Sequence, residues 1–136
     1  MNPELHSVQE GLCEGTVKNC VDGTWIDTDL STIEGYESTE TQCDGIDSDC
    51  DGTVDEGLEA PMAEVQIGVC IGQVQVCACV AGWVEPDYTQ VEGFESNESE
   101  CDGVDSNCDG EVDNELTAPL ADEQNGVCAG SKKICL

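Results

Sequence analysis

CDGIDSDCDGTVDE, residues 43–56, is the stretch that decides the fold, and CDGVDSNCDGEVDN, residues 101–114, repeats it after 58 residues. We refer to these two stretches as the Asp-Gly loops. Each carries acidic or amide side chains at alternate positions, followed by a glycine that permits a sharp turn. Self-similarity at a fixed period is the sequence signature of a repeat architecture, in which each unit buries its apolar surface against a neighbour.

The sequence that flanks the loops repeats as well. Related segments begin at Pro3, Ala60 and Ala118, and each contains a proline leader and a C-x6-C cysteine pair. Apolar residues on either side of a glycine, Gly72 in the middle copy, predict that each pair closes a short β-hairpin. We therefore predict one repeat at residues 1–58, a second at 59–116, and a partial third with leader and hairpin only at 117–136.

Eleven cysteines among 136 residues are typical of disulfide-linked proteins from oxidising compartments. Ten of them share the C-x6-C spacing: Cys13/Cys20, Cys43/Cys50, Cys70/Cys77, Cys101/Cys108 and Cys128/Cys135. The uniform spacing favours local disulfides within each pair. The alternative is that a cysteine of an Asp-Gly loop bonds one in a neighbouring hairpin, because connectivity cannot be read from sequence. Cys79 falls outside the set and is the expected odd thiol.

The acidic spacing of the Asp-Gly loops matches the first half of a calcium-binding loop. Calcium takes about six to eight oxygen ligands, and short side chains at alternate loop positions can converge on one ion, together with a following backbone carbonyl. The bidentate Glu that completes an EF-hand is replaced by Leu58 and Leu116. We predict two calcium ions, one held by Asp47, Asp49, Asp51, Thr53 and Asp55, the other by Asp105, Asn107, Asp109, Glu111 and Asp113.

Each ion needs further ligands. Candidates beside the loops are Asp44, Glu56, Asp102 and Glu115. The sequence leaves open whether four further glutamates bind an ion or only face solvent: Glu37, Glu40, Glu95 and Glu98. Magnesium demands a tighter octahedron, and zinc or copper would ask for histidine or thiolate ligands. Calcium is therefore the predicted cofactor.

Composition and charge exclude several classes of function. Asp and Glu total 31 against 3 Lys and Arg, a net charge of −28, whereas nucleic-acid binding needs clustered basic residues. No stretch has the roughly 18 to 20 consecutive apolar residues of a membrane span. A catalytic constellation, such as a nucleophile with a histidine base, is also missing. We expect no enzyme, no nucleic-acid partner and no membrane span.

The loop string resembles the metal-binding motif repeats of the MopE type, found in secreted and surface proteins of bacteria. Their core is CDGxDNDCDGxxDE, preceded by a C-x-x-G-x-x-x-C hairpin and a Gly-x-Trp, which Gly23-Thr24-Trp25 matches and Gly82-Trp83 matches in altered form. Neither Trp25 nor Trp83 is followed by the family's usual cysteine, which implies one bridge fewer per repeat. The copper of the family label is not carried over, because the matching residues are oxygen ligands. The DxDxDG loops alone are similar to thrombospondin type 3 repeats.

These features predict a small, β-rich and largely irregular fold without a large core, built of tandem repeats with short hairpins and stabilised by disulfides and calcium. The expected function is an extracellular or cell-surface calcium-binding protein with a structural role. We expect head-to-tail self-association into a filament, because a repeat array exposes unmatched terminal surfaces. The alternative is that the chain is a fragment of a longer natural array. The alternatives are an adhesive or recognition stalk that binds a glycan or surface protein and, more weakly, calcium buffering.

Overall fold

The computed structural model describes residues 2–136. Its strands in that range are β1 (Asn19–Val21), β2 (Thr24–Ile26), β3 (Val76–Cys77) and β4 (Trp83–Val84). Its helices there are single 3-10 turns at Gly11–Cys13, Leu30–Thr32, Gly68–Cys70, Cys79–Ala81, Tyr88–Gln90 and Gly126–Cys128. None of these is long and apolar enough to span a membrane. The predicted small, largely irregular fold with short hairpins is confirmed.

The two hairpins are formed by the Trp segments. β1 and β2 pair antiparallel with Val21 opposite Thr24. The connecting residues Asp22 and Gly23 both have positive φ angles, 50° and 81°, which is the two-residue turn geometry that Asp-Gly favours. β3 and β4 form the second hairpin, in which Cys77 lies opposite Trp83.

The structure corrects the predicted position of the hairpins. The first cysteine after each leader, Cys13, Cys70 or Cys128, lies in a 3-10 turn. The chain after the following glycine pairs with the leader through single bridges: Leu5 with Val17, Met62 with Val74, and Leu120 with Lys132. A glutamine holds each turn. Gln66 donates to the carbonyl of Gln73 (2.8 Å) and accepts the N–H of Gly72 (2.9 Å). Gln9 and Gln124 make the same bonds.

Cysteine rather than aromatic packing forms the interior. Among residues 2–136 the buried apolar side chains are Cys13, Cys50, Ala63 and Cys70. Trp25 and Trp83 are only half-buried. We refer to Gly11–Cys13, Gly68–Cys70 and Gly126–Cys128 as the cysteine turns, because the first two of them carry the buried Cys13 and Cys70. The absence of a large core is thus compensated by covalent cross-links.

Disulfides are present, but local pairing within C-x6-C is wrong. The bonds found in residues 2–136 are Cys13–Cys50, Cys43–Cys77, Cys70–Cys108 and Cys101–Cys135. The structure therefore follows the alternative, in which loop cysteines bond hairpin segments. The reason is that the strand carrying Cys20 pairs with β2 and not with its own cysteine turn. Cys20 and Cys128, assigned to local bonds, are unpaired, as is Cys79.

The longer bonds restrain the chain more than local ones would. They link residues 34 to 38 positions apart. In the chain-entropy model a loop of that length stabilises by about 4 kcal/mol, against about 2.5 kcal/mol for a C-x6-C loop. Four such links replace much of the stabilisation that a hydrophobic core supplies in a larger domain.

The chain divides into two compact units. One comprises Met1–Pro61 with Gln75–Val84, and the other Met62–Val74 with Glu85–Leu136. The first unit takes the β3–β4 hairpin because the bond from Cys43 ends at Cys77. Each unit contains one Asp-Gly loop. The repeat boundaries at residues 58 and 116 stay a prediction.

Each Asp-Gly loop packs directly on the cysteine turn of its own repeat. The N–H of Leu12 donates to the carbonyl of Asp47 (3.1 Å), and that of Val69 donates to Asp105 (3.0 Å). The approach is so close that a Cβ atom on Gly11 would lie 2.1 Å from the Asp47 carbonyl oxygen. Gly11 also has a φ of +48°, which disfavours other residues. Only glycine fits this contact.

Peptide mapping of the oxidised chain should recover the four bonds described above. After digestion at acidic residues without reduction, mass spectrometry should find Cys13 linked to Cys50 and Cys70 linked to Cys108. The physical reason is that these cysteines meet where loop and turn are in van der Waals contact. Recovery of Cys43 linked to Cys50 would contradict the structure.

Substitution of Gly11 by alanine should destabilise the chain far more than the same change at Gly15. Gly15 has a φ of +80°, and a Cβ added there would meet nothing within 4 Å, so Gly15→Ala should cost about 1 kcal/mol from backbone strain alone. Gly11→Ala adds a clash with Asp47, for a total of about 3 kcal/mol. Thermal unfolding of both variants measures the difference, and equal losses would refute the close contact.

Candidate metal centres

The first Asp-Gly loop gathers five acidic side chains. Carboxylate oxygens of Glu40, Asp47 and Asp49 lie within 4.8 Å of one another, as do those of Asp49, Asp51 and Glu56. Glu40 and Asp47 are buried, with 4% and 5% of their surfaces exposed. Acidic residues are rarely buried this fully unless they are paired with a cation. We refer to these five residues as the first centre.

Backbone N–H groups hold the aspartates in place. Asp47 accepts from Asp51 (3.2 Å) and Gly52 (3.0 Å). Asp49 accepts from Asp51 (3.1 Å), and Asp51 accepts from Thr53 (2.8 Å). These side-chain turns are the local conformation that aspartate favours, and they wind the chain around the Asp47 carboxylate. The alternate spacing thus converts a linear motif into a convergent set of oxygens.

Glu40 closes the first centre from outside the motif. Its two oxygens accept the N–H of Ser48 (2.8 Å) and the N–H of Glu56 (3.1 Å), so it joins the start of the loop to its end. The sequence leaves its role open. A signal is nevertheless present, because a glutamate stands seven residues before Asp47 and, equally, before Asp105. By contrast, Glu37 and Glu95 accept from Thr41 and Ser99 as turn caps.

The second loop builds the same arrangement with fewer charges. Glu98 and Asp105 are buried, with 7% of each exposed. Glu98 accepts from Ser106 (3.0 Å) and Asn114 (2.6 Å). Asn107 and Asn114 replace two of the carboxylates, so that three remain where the first centre has five. The second centre consists of Glu98, Asp105, Asn107, Asp109 and Asn114.

Amide groups keep Asp109 ionised in the second centre. The side chain of Asn114 donates to Asp109 (2.7 Å), and that of Asn107 donates as well (3.0 Å). The Asn114 bond, followed by the N–H of Glu111, holds the pKa of Asp109 below its ordinary value. Asp109 therefore keeps its negative charge to a lower pH than an ordinary aspartate does.

One oxygen in each centre lacks a partner. Within residues 2–136, Oε2 of Glu56 and Oδ1 of Asn114 are buried and accept no hydrogen bond. The two residues are equivalent, 58 positions apart. A buried acceptor without a donor is unfavourable unless it is satisfied by water or an ion. Both oxygens are thus available as cation ligands.

Like charges also crowd Glu56. Its own backbone N–H lowers its pKa, but burial and the neighbouring charges of Asp51, Glu40 and Asp49 together raise that pKa above its ordinary value. Repulsion of this kind disappears when a cation binds the cluster. The first centre is therefore electrostatically poised to take up positive charge.

Several predicted ligands lie elsewhere. Asp55 accepts the N–H groups of Asp44 (2.9 Å) and Gly45, because the Cys-Asp-Gly turn closes on it, and it belongs to neither of the acidic groups of the first centre. Asp113 does the same for Asp102 and Gly103. Asp44 and Asp102 cap their own turns through Ile46 and Val104.

The remaining predicted ligands divide in the same way. Thr53 and Glu111 each donate a backbone N–H to the preceding aspartate, Asp51 or Asp109, so they lie beside the centres. Glu115 is exposed and occupies the position of Gly57, with a φ of +55°. It does not correspond to Glu56, whose equivalent is Asn114.

The donor atoms of both centres are hard oxygens, and the thiolate and imidazole ligands typical of copper are not among them. Copper in its two oxidation states favours thiolate, thioether or imidazole ligands. The one histidine, His6, donates through Nε2 to the carbonyl of Thr28 (3.0 Å) and accepts the N–H of Val8 (2.9 Å) through Nδ1. Cys43 and Cys77 lie near Asp55, but their sulfurs are joined in a disulfide. The centres offer carboxylate and amide oxygens, which suit calcium or magnesium.

Replacing Glu56 by glutamine should change stability and cation binding in opposite directions. Without a cation, Glu56→Gln removes a repelling charge and should raise the unfolding temperature measured in chelator. In calcium it removes a charged ligand and should weaken binding by about tenfold. The exposed Glu34→Gln, which changes the net charge equally, should do neither. Lower stability of Glu56→Gln in chelator would contradict the repulsion described above.

Two segments of the chain match the model of a known protein family. The family Cu-binding_MopE, described as "Putative metal-binding motif", matches residues 37–56 and 96–114. Both matched segments contain the residues of a centre, including Glu40 and Glu98. A search of the curated proteins and of the solved structures gives no significant match. The chain thus carries two MopE-type metal-binding motif repeats.

Proposed function

We propose that the chain is an extracellular calcium-binding repeat protein in which each Asp-Gly loop holds one ion. The observation that carries this proposal is the burial of Glu40 and Asp47 among three further carboxylates without a compensating basic residue in the cluster. Calcium fits better than magnesium, because the set has five acidic side chains. Magnesium prefers about one or two carboxylates and keeps its water.

The ion's role is structural in this proposal. The cluster spans the loop from Glu40 to Glu56, so a bound cation would link its beginning, middle and end. The same loop is fixed to its cysteine turn by a disulfide and a backbone hydrogen bond. A cation that binds the folded chain and not the unfolded chain stabilises the folded state by mass action. An oxidising, calcium-rich exterior would supply both conditions that the fold needs.

The proposed biological role follows from charge and repetition. A net charge of −28 would fall to −24 with two calcium ions, so cationic partners are expected to be attracted. We propose a non-enzymatic surface or filament element that self-associates head to tail. A glycan or surface protein is the alternative partner.

Calcium titration of the oxidised chain tests the proposal. Isothermal titration calorimetry should give two ions per chain, with tighter binding at the first centre because it holds five carboxylates against three. Glu40→Gln should weaken that site by about tenfold or more, and leave the second site unchanged. Glu34→Gln serves as the charge-matched control. Absence of calcium binding, or equal effects of the two variants, would refute the assignment.

A further inference from the structure

The third cysteine turn has the construction of a docking site for an Asp-Gly loop. Cys128 corresponds to Cys13 and Cys70, and both of those bond the second cysteine of a loop, Cys50 and Cys108. Within residues 2–136, Cys128 is unpaired and exposed. The equivalent position of Cys128 therefore predicts that its partner is the second cysteine of an Asp-Gly loop.

The backbone around Cys128 keeps the conformation that receives a loop. Gly126 has a φ of +58°, close to the +48° of Gly11 and the +52° of Gly68. A Cβ on Gly11 or Gly68 would strike a loop carbonyl at 2.1 or 2.0 Å, whereas a Cβ on Gly126 meets nothing within 4 Å. The space that a loop fills in the first two repeats is open at Gly126.

Val127 has neither of the contacts that its equivalents make. Leu12 and Val69 donate their N–H groups to Asp47 and Asp105 and are half-buried. The N–H of Val127 has no acceptor within residues 2–136, and its side chain is fully exposed. The exposed side chain of Val127, its N–H without an acceptor and the free thiol of Cys128 thus lie together. In the other two cysteine turns, the equivalent N–H and sulfur bond an Asp-Gly loop, and the equivalent side chain is half-buried.

Cys20 occupies the other cysteine position of the repeat, the one that bonds the first cysteine of a loop and not the second. It corresponds to Cys77 and Cys135, which bond the first cysteines of the loops, Cys43 and Cys101. Cys20 is exposed on β1 and unpaired in the described part of the chain. The disulfide pattern therefore assigns different partners to Cys128 and Cys20. If exposure alone governed their reactivity, both thiols would react with either loop cysteine equally.

We propose that the cysteine turn Gly126–Cys128 binds the Asp-Gly loop of a further repeat and forms a disulfide with that loop's second cysteine, while Cys20 accepts the first cysteine of such a loop. The occupant must present a loop with a free thiol. A second oxidised copy of this chain does not, because its own loop cysteines are bonded. The inference goes beyond the proposed calcium binding and does not depend on the identity of the cation.

The covalent step is a thiol–disulfide exchange. The thiol of Cys128 and the thiol of the loop together lose two electrons and two protons as the new S–S bond forms. A small-molecule disulfide such as oxidised glutathione accepts both, and is reduced to two thiols. Docking raises the effective concentration of the matching thiol, which makes the reaction selective.

Two synthetic peptides, used with the oxidised full chain, test which loop cysteine Cys128 and Cys20 each prefer. Both span residues 91–116; one carries Cys101→Ser and keeps the second cysteine, the other carries Cys108→Ser and keeps the first. Each is incubated with the chain in glutathione redox buffer and millimolar calcium, and the mixed disulfides are mapped by mass spectrometry. We expect Cys128 to prefer the second-cysteine peptide by about tenfold, and Cys20 to show the reverse preference. Cys79 serves as the internal thiol control and should show no preference.

A matched pair of glycine variants separates docking from thiol exposure. Gly126→Ala places a methyl group where the loop carbonyl must approach, and should abolish the preference at Cys128. Gly130→Ala has a comparable positive φ, +86°, with nothing nearby, and should preserve it. Equal reaction of Cys128 with both peptides, Cys128–Cys128 dimers as the main product, or equal effects of the two glycine variants would overturn the proposal.

Discussion

The contact between an Asp-Gly loop and its cysteine turn is the interaction on which the rest of the structure depends. It combines a buried disulfide, Cys13–Cys50, with a backbone hydrogen bond from Leu12 to Asp47. Gly11 lets the two backbones approach to a distance that no other residue permits. Asp47 contributes its carbonyl to this contact and its carboxylate to the first centre, beside Glu40. The fold and the candidate metal centre therefore meet at one residue of the loop.

This arrangement explains how a chain with so little apolar volume keeps a defined structure. Covalent links supply the restraint that a core normally provides, and they lie where the chain is most tightly packed. The cost is electrostatic, because five carboxylates of the first centre are brought together. In the proposed function, a hard divalent cation would offset that repulsion and would stabilise the folded chain by binding to it. Burial and the charges of Asp51, Glu40 and Asp49 raise the pKa of Glu56 above its ordinary value.

Much of the fold class could be predicted from the sequence, because the 58-residue period and the Asp-Gly spacing are local patterns. The loop aspartates Asp47, Asp49 and Asp51 are identifiable for the same reason. Disulfide connectivity could not be predicted, since it depends on which segments pair in space, and β1 pairs with β2. Asp55 matches a ligand position in spacing, yet its oxygens are taken by the turn at Asp44 and Gly45. Glu40 precedes the Asp-Gly loop, and only the folded structure shows that it joins the two ends of that loop.

A crystal structure grown in calcium, with anomalous scattering measured at long wavelength, tests the central claim most directly. The account predicts one anomalous peak among Glu40, Asp47, Asp49, Asp51 and Glu56, and a second at the equivalent positions of the other loop, with the Cys13–Cys50 bond intact. Calcium bound instead beside Asp44 and Asp55, or a loop detached from its cysteine turn when the ion is present, would contradict it.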